Sequence, residues 1–536
     1  MTQIPRRGLS REAVHEQLKR FARSDFDTRG GKAFALSFDA APEADAVMKE
    51  AFVSAMSKTA LDMTFNPSVL ELENELVAMA AAHLGGDAQT AGTFTSGGTE
   101  SIMLAVKGAR DYFRSVRPDI AEPEMVLPVT AHAAFHKAAH YLGVKVVRVG
   151  LDPVTYRADV GNVRAALTPS TILIVGSAGS YAHGVVDPIP ELGRLAQEHG
   201  VLLHVDGCIG GFLLPYFQRF GAKVPEFDLR VPGVTSISMD LHKYCYAPKG
   251  ASVVLCKTRE LRRHQLFACS GWAGYTIVNT TVQSTKGAGP LAGAWAALNF
   301  IGDEGYERIA RSLYDAKEKL VAGINAIPRL RVVGQTDLPL IAFTSDTINL
   351  FVLIDEMAKR GWHVQPVFKV DDYPEVVHLS VTPANLPRLD ELLADLRAVA
   401  STVTEKPRSP AARAASLAFG GLDPDLLDDR LFSKLLAVAG LDRVGVPKGT
   451  ALLNDIMNLL PPRLSERLVV EFINRLFVQP ETDASGERPH ALPKGPARAT
   501  RRDDNHRRRS RWERLPGAAR ALALARDFRE RLGQPR

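Results

Sequence analysis

The chain of 536 residues is 46% hydrophobic and 24% charged, enough for a large core shared by two or three domains. No run of eighteen or more uncharged apolar residues occurs, and the start, "MTQIPRRGLSREAVHEQ", has no apolar stretch after its arginines, so neither a transmembrane helix nor a secretory signal is expected. The net charge of +6 misleads, because residues 485–536 carry fifteen Lys/Arg against six Asp/Glu and leave a slightly acidic body before them.

Residues 1–67 read as an N-terminal segment of mixed, helical pattern. "SVLELENELVAMAAAHLG", Ser68 to Gly85, spaces its apolar residues for a helix and stops at Gly-Gly. Residues 68–300 read as a large domain. Its apolar runs "EMVLPVT", "VKVVRVG", "TILIVGSA", "VLLHVDG" and "ASVVLC" alternate with amphipathic stretches such as "HAAFHKAAHYLG" and "PIPELGRLAQEHG". That alternation argues for an α/β fold of βαβ units on a mostly parallel, buried sheet. Right-handed crossovers then place a ligand at the carboxyl ends of the strands. Residues 260–300 are rich in Gly, Thr and Ser before turning helical at "AGPLAGAWAALNFIG".

Residues 301–402 read as a smaller α+β domain: a helix, the strands "TINLFVLI" and "VVHLSVTP", and the helix "LPRLDELLADLRAVA". Residues 403–484 open with the linker-like "EKPRSPAARAA" and continue as a helical extension, with apolar stripes in "LLDDRLFSKLLAVAG" and "ERLVVEFINRLF". Residues 485–536 form the basic tail, expected to be a solvated, disordered extension, with nucleic-acid binding the weaker reading. Cys208, Cys245, Cys256 and Cys269 form no C-x-x-C pair. They read as reduced thiols of a cytoplasmic protein, and no metal site is expected.

Three features at strand ends belong together. In "FTSGGTESIMLAVKGARDY", Phe94 to Tyr112, Gly97, Gly98 and Thr99 open an amphipathic helix. Its free N–H groups and positive dipole end suit a phosphate, although alone this is also an ordinary helix cap. In "VLLHVDGCIGG", Asp206 ends an apolar strand, where a carboxylate is costly without a cationic partner. Alone, it reads equally as a helix cap or a metal ligand. In "SISMDLHKYCYAPKGASVVLC", Ser236 to Cys256, the polar knot Asp240-Leu241-His242-Lys243 separates two apolar runs, and Lys249 follows. Enzymes that use pyridoxal 5'-phosphate need a Schiff-base lysine, an acidic partner for the ring nitrogen and a phosphate cup. All three occur, in the order cup, Asp206, Lys243. His132, where a strand gives way to a helix, is placed to lie flat on a pyridine ring. His136 and His140 read as helix-face residues.

These segments, with "TAHAAFHKAAHYLGVKVVRV", "VGSAGSYAHGVVDPI" and "RGWHVQP", resemble the pyridoxal phosphate-dependent group II decarboxylase superfamily of fold type I, and within it the sphingosine-1-phosphate lyase branch. The string around Lys243 differs from the "HKW" form of many amino-acid decarboxylases, and Lys249 in "APKG" matches the lyases. The resemblance implies that Lys243 carries the cofactor and Asp206 pairs with the pyridine nitrogen. It further implies that His132 stacks on the ring and that Gly98 and Thr99 bind the phosphate with His242 close by. Lys249 would assist catalysis, and His204 matches a strand-end histidine near the cofactor. Two departures stand out. Asp62 in "KTALDMTFNPSV" occupies the place of a family histidine, and in "GWAGYTIVNTTVQSTKGAG" the family arginine is replaced by Lys286 or absent.

The implied activity is retro-aldol cleavage of a phosphorylated amino alcohol, such as a phosphorylated sphingoid base, to an aldehyde and an amine. The alternative is decarboxylation of an amino acid, and a minor one is a polyanion-binding protein with an idle enzyme domain. A homodimer is implied, with the Gly/Thr-rich loop of residues 270–290 reaching the partner's site.

Overall fold

The computed structural model describes residues 4–403, Met63 apart, and 450–476. Its centre is a seven-stranded sheet built from β1 (Ala91–Thr95), β2 (Glu124–Pro128), β3 (Lys145–Val149), β4 (Thr171–Ser177), β5 (Leu202–Asp206), β6 (Val234–Met239) and β7 (Ser252–Cys256). Their order in space is β1-β7-β6-β5-β4-β2-β3. Strands β2 to β6 run parallel, joined by crossovers that carry helices, whereas β7 runs antiparallel to both β6 and β1. The apolar runs seen in the sequence are these strands, and all seven residues of β4 are buried because helices cover both faces.

The parallel strands end together. Ser177 of β4 lies beside Asp206 of β5, and Asp206 lies beside Ser238 of β6. Helix Gly98–Val116 starts above this edge, and helix Ala133–Leu142 starts at His132 and stops at Gly143, whose φ of 65° is the left-handed conformation that glycine adopts freely. A hairpin of β8 (Phe267–Cys269) and β9 (Ile277–Asn279) projects beyond the sheet.

A second sheet, of β10 (Arg331–Val332), β11 (Leu340–Thr344), β12 (Gln365–Val367) and β13 (Val376–Ser380), is antiparallel in the order β10-β11-β13-β12. The segment "TINLFVLI", expected as a strand, is instead the start of helix Leu350–Lys359. Asn349 decides this locally, because its side chain accepts hydrogen bonds from the N–H groups of Phe351 and Val352 and so caps a helix. The strand of this region is β11, just upstream. One helix, Gly289–Asn325, runs through the boundary drawn at residue 300 and bends at Gly302, where φ is 68°. The stretch "ERLVVEFINRL" falls in helix Pro462–Leu476, preceded by helix Ala451–Leu459. The Asp355 carboxylate accepts from the N–H groups of Thr450 and Ala451 and fastens this pair of helices to the smaller domain. The stripe "LLDDRLFSKLLAVAG" and the basic tail lie outside the described residues.

Candidate active site

The strand ends enclose a cavity of about 410 Å³ whose wall includes Gly97, Gly98, Thr99, His132, Asp206, Asp240, His242, Lys243 and Lys249. Seven of the eight residues singled out in the sequence therefore meet around one space. Lys243 belongs to the turn that carries the chain from β6 into the reversed β7. Its ammonium lies 2.9 Å from a carboxylate oxygen of Asp240, three residues earlier. Burial by itself lowers the Lys243 pKa, but Asp240, helped by Cys208 and Asp206, outweighs it and holds the ammonium form above its ordinary range. Asp240 is 3% exposed. Burial pushes its pKa up, yet Lys243 and His242 hold it below the usual carboxylate range.

Asp206 is held by its own strand end, where one carboxylate oxygen accepts from the N–H of Cys208 at 3.0 Å and from the Ser238 hydroxyl at 3.4 Å. The ring of His132 is exposed to the cavity while its Nδ1 accepts from the N–H of Ala134 at 3.1 Å. That bond fixes the ring's direction, and in the neutral form it leaves the proton on Nε2. The His242 ring donates from Nδ1 to the Ala251 carbonyl at 2.7 Å. Burial lowers its pKa, so the neutral ring is favoured. His136 and His140 lie on the helix after His132 and do not line the cavity.

His204 sits behind the wall. It is fully buried, with Nδ1 2.8 Å from the Ser236 hydroxyl and Nε2 3.3 Å from that of Ser238. Two residues back along β5 from Asp206, it shares the carboxylate's face of the strand but lies deeper, so its reach to the site passes through Ser238. Burial holds it neutral, with a pKa near 4.

Lys249 stands at the cavity wall with its side chain over the Phe38 ring at 5.3 Å and its ammonium 3.4 Å from the His242 carbonyl. Burial and the neighbouring Lys243 lower its pKa from the ordinary lysine value. Lys286 takes no comparable place. It is 5% exposed and donates to both oxygens of Glu73 at 2.9 and 2.8 Å and to the Phe94 carbonyl. The idea that it stands in for the family arginine is thereby corrected: a buried ammonium with three acceptors is committed to holding helix Pro67–His83 against β1. Asp62 closes a local turn with Thr64 and Phe65.

Sequence reasoning passed over Asp240 as a site residue, although a carboxylate three residues before a candidate amine was the available signal. It also missed Tyr181, whose hydroxyl donates to Gln365 at 2.6 Å from within the cavity wall. Glu100 was missed too. Its carboxylate accepts from the N–H groups of Ser96, Val282 and Gln283, joining the turn before helix Gly98–Val116 to the loop after β9. Nothing local in the sequence marks the contacts of Glu100 to Val282 and Gln283, which cross more than 180 residues.

These groups fit pyridoxal phosphate. Gly97 has φ 152° and ψ 167°, a conformation that side chains rarely adopt, and it brings the helix N-terminus of Gly98 and Thr99 to the cavity. Asp240 Oδ1 is buried without a hydrogen-bond partner beside the Lys243 amine. A family profile for the "Pyridoxal-dependent decarboxylase conserved domain" matches residues 2–346.

The chain belongs to the pyridoxal-dependent decarboxylase family. Its cofactor is accordingly pyridoxal phosphate, its large domain is of fold type I, and it is a lyase. A second profile, "Pyridoxal-dependent enzyme, C-terminal putative HTH domain", matches residues 411–475. The sphingosine-1-phosphate lyase of Arabidopsis thaliana is 42% identical over 345 residues, 63% of this chain and 62% of that protein. The sphingosine-1-phosphate lyase of Oryza sativa subsp. japonica is 39% identical over 414 residues, 76% of this chain and 75% of that protein. The solved sphingosine-1-phosphate lyase of Burkholderia pseudomallei K96243 superposes with a TM-score of 0.72 at 35% identity, covering 75% of this chain and 93% of that one.

Proposed function

We propose that this family member is a carbon–carbon lyase that cleaves phosphorylated long-chain amino alcohols, of the sphingosine-1-phosphate kind, to an aldehyde and an amine. The observation that carries the reading is the second lysine: Lys249 lines the same cavity as Lys243 and has a lowered pKa. Bound pyridoxal phosphate supplies an electron sink for the bond that breaks. The residues do the rest. Lys243, its amine at the cavity wall, would hold the cofactor. Asp206, a carboxylate in the cavity wall, would keep the ring nitrogen protonated. His132 would lie against the ring, and the N–H groups of Gly98 and Thr99, with His242, would take the phosphate. Lys249, more easily deprotonated than an ordinary lysine, removes the proton of the substrate's β-hydroxyl.

We further assign the protein to the cytoplasm as a homodimer. Support for the second copy comes from apolar side chains left exposed on neighbouring segments: Val53, Met56 and Phe65 near the N-terminus, and Trp272, Tyr275, Val278 and Val282 around the β8–β9 hairpin. No described helix is long and apolar enough to cross a membrane. The deciding experiment incubates the purified holoenzyme with a phosphorylated long-chain amino alcohol and, separately, with free amino acids. Aldehyde release from the former is expected, and CO₂ release from amino acids alone would refute the lyase reading.

A further inference from the structure

The C-terminal extension reaches the active-site wall through one hairpin. Tyr181, in that wall, is held from two sides by the smaller domain. Its hydroxyl donates to Gln365 Oε1 at 2.6 Å, and its ring stacks on His378, with centroids 4.5 Å apart and planes at 27°. Gln365 of β12 and His378 of β13 are direct cross-strand partners, so a single rung of the hairpin carries both contacts. His378 is fully buried, with Nε2 2.8 Å from the Ser380 hydroxyl, and burial keeps it neutral with a pKa near 4.

Two rungs further, past the pair Val367 and Val376, the hairpin is clamped by the extension. Asn458, 5% exposed in helix Ala451–Leu459, accepts from the N–H of Lys369 at 2.7 Å and donates to Glu375 Oε2 at 3.4 Å. It thereby bridges the two arms of the hairpin at its turn end, just beyond the ladder. The neighbouring turn of the same helix adds Asp455, 3% exposed, which accepts from Asn349 at 2.9 Å. On its other side the hairpin tip is tied to the large domain, where Tyr373 exchanges hydrogen bonds with the backbone of Leu151. A buried amide that spans two strands fixes their separation and twist, because leaving either partner unsatisfied in a dry site is costly.

We infer that Asn458 is a positioning residue for the active site: by clamping the β12–β13 hairpin, the C-terminal extension sets where Gln365 and His378 hold Tyr181, and thus the shape of the cavity. The extension is then part of the lyase's working structure, and whatever engages or strains it is read at the cavity.

The test uses the full-length holoenzyme and apoprotein with Asn458→Ala, Gln365→Leu and the double variant. Hydrogen exchange is followed at the backbone of residues 178–184, which contains Tyr181, in the absence of any substrate. Asn458→Ala is expected to speed exchange there by about three- to tenfold, alongside the hairpin, and to change kcat/KM by a similar factor. In the Gln365→Leu background the Asn458→Ala effect on residues 178–184 should shrink towards nothing, since the route is already cut. The inference is overturned if exchange changes stop at the extension and hairpin tip, or if the two substitutions act additively on residues 178–184. The exchange readout stands whichever bond the enzyme cleaves, so it fails or holds separately from the lyase assignment.

Discussion

Replacing Asp240 by Asn tests the electrostatic centre of the site. The two charges lie 2.9 Å apart, and the Asp240 side chain is 3% exposed against 20% for Lys243. At an effective dielectric of about 20 their attraction is about 6 kcal/mol before desolvation is counted. Removing one partner of a buried pair costs about 3–5 kcal/mol. The low end applies here, because Lys243 keeps some exposure and Asp206 also acts on it, so about 3 kcal/mol of apoprotein stability should be lost. The pH window follows from the directions of the two shifts. Asp240 is lowered from 3.8, so its contribution is present above 3.8 and is lost as pH falls through the still lower folded value. Lys243 is raised from 10.5, so its contribution is present below 10.5 and is lost as pH rises through the higher folded value. Between those limits the difference between variant and parent should be flat. Thermal unfolding of the cofactor-free protein should therefore show a Tm lower by about 3–6 °C, allowing for the smaller Tm change per kcal/mol in a large chain. A variant within about 0.5 kcal/mol of the parent, or a difference that changes between about pH 6 and 9, would refute the reasoning.

Lys243→Ala should abolish the visible absorbance of the bound cofactor, read on the purified protein; an unchanged spectrum would remove Lys243 from its assigned role. Lys249→Met should lower kcat by about 10²–10⁴-fold, the usual contribution of a general base, while leaving the cofactor spectrum in place. In the parent the rate should rise with pH as Lys249 loses its proton, and that limb should vanish from the pH profile of Lys249→Met. Gly97→Ala forces a side chain into the φ 152° conformation and should cost about 1–3 kcal/mol, measured by denaturant unfolding, with weaker cofactor retention on dialysis.

The sheet was legible because five of its strands are largely apolar runs, and in β2, β4, β5 and β7 that pattern follows from burial on both faces. The reversal of β7 was not legible. Its run "ASVVLC" is equally apolar in either direction, and only pairing with β1, far upstream, settles the orientation. The misread "TINLFVLI" shows the same limit on a local scale, since a β-branched, apolar stretch was outvoted by one capping asparagine. At the site, Gly98, Thr99, Asp206 and Lys243 could be picked out because each sits at a strand end in a fixed order, and they line one cavity. Asp240, Glu100 and Tyr181 were not, because their meaning depends on partners brought together by the fold. His204 was expected near the cofactor; the sequence marks its strand but not its depth, and it lies buried behind the cavity wall.

The place of β1 at the sheet's edge has a consequence for biosynthesis. Its ladder partner is β7, and the two are separated by about 160 residues of chain. At a synthesis rate of about 5–20 residues per second, a finished β1 waits roughly 8–30 s for its partner to be made. During that interval the Gly97-Gly98-Thr99 turn that follows β1 lacks its neighbouring strand, and an unpaired strand edge stands open to other nascent chains. The same segment that closes the edge delivers Lys243. Pairing of β1 and delivery of Lys243 to the strand ends thus wait on the same stretch of chain, near the middle of translation.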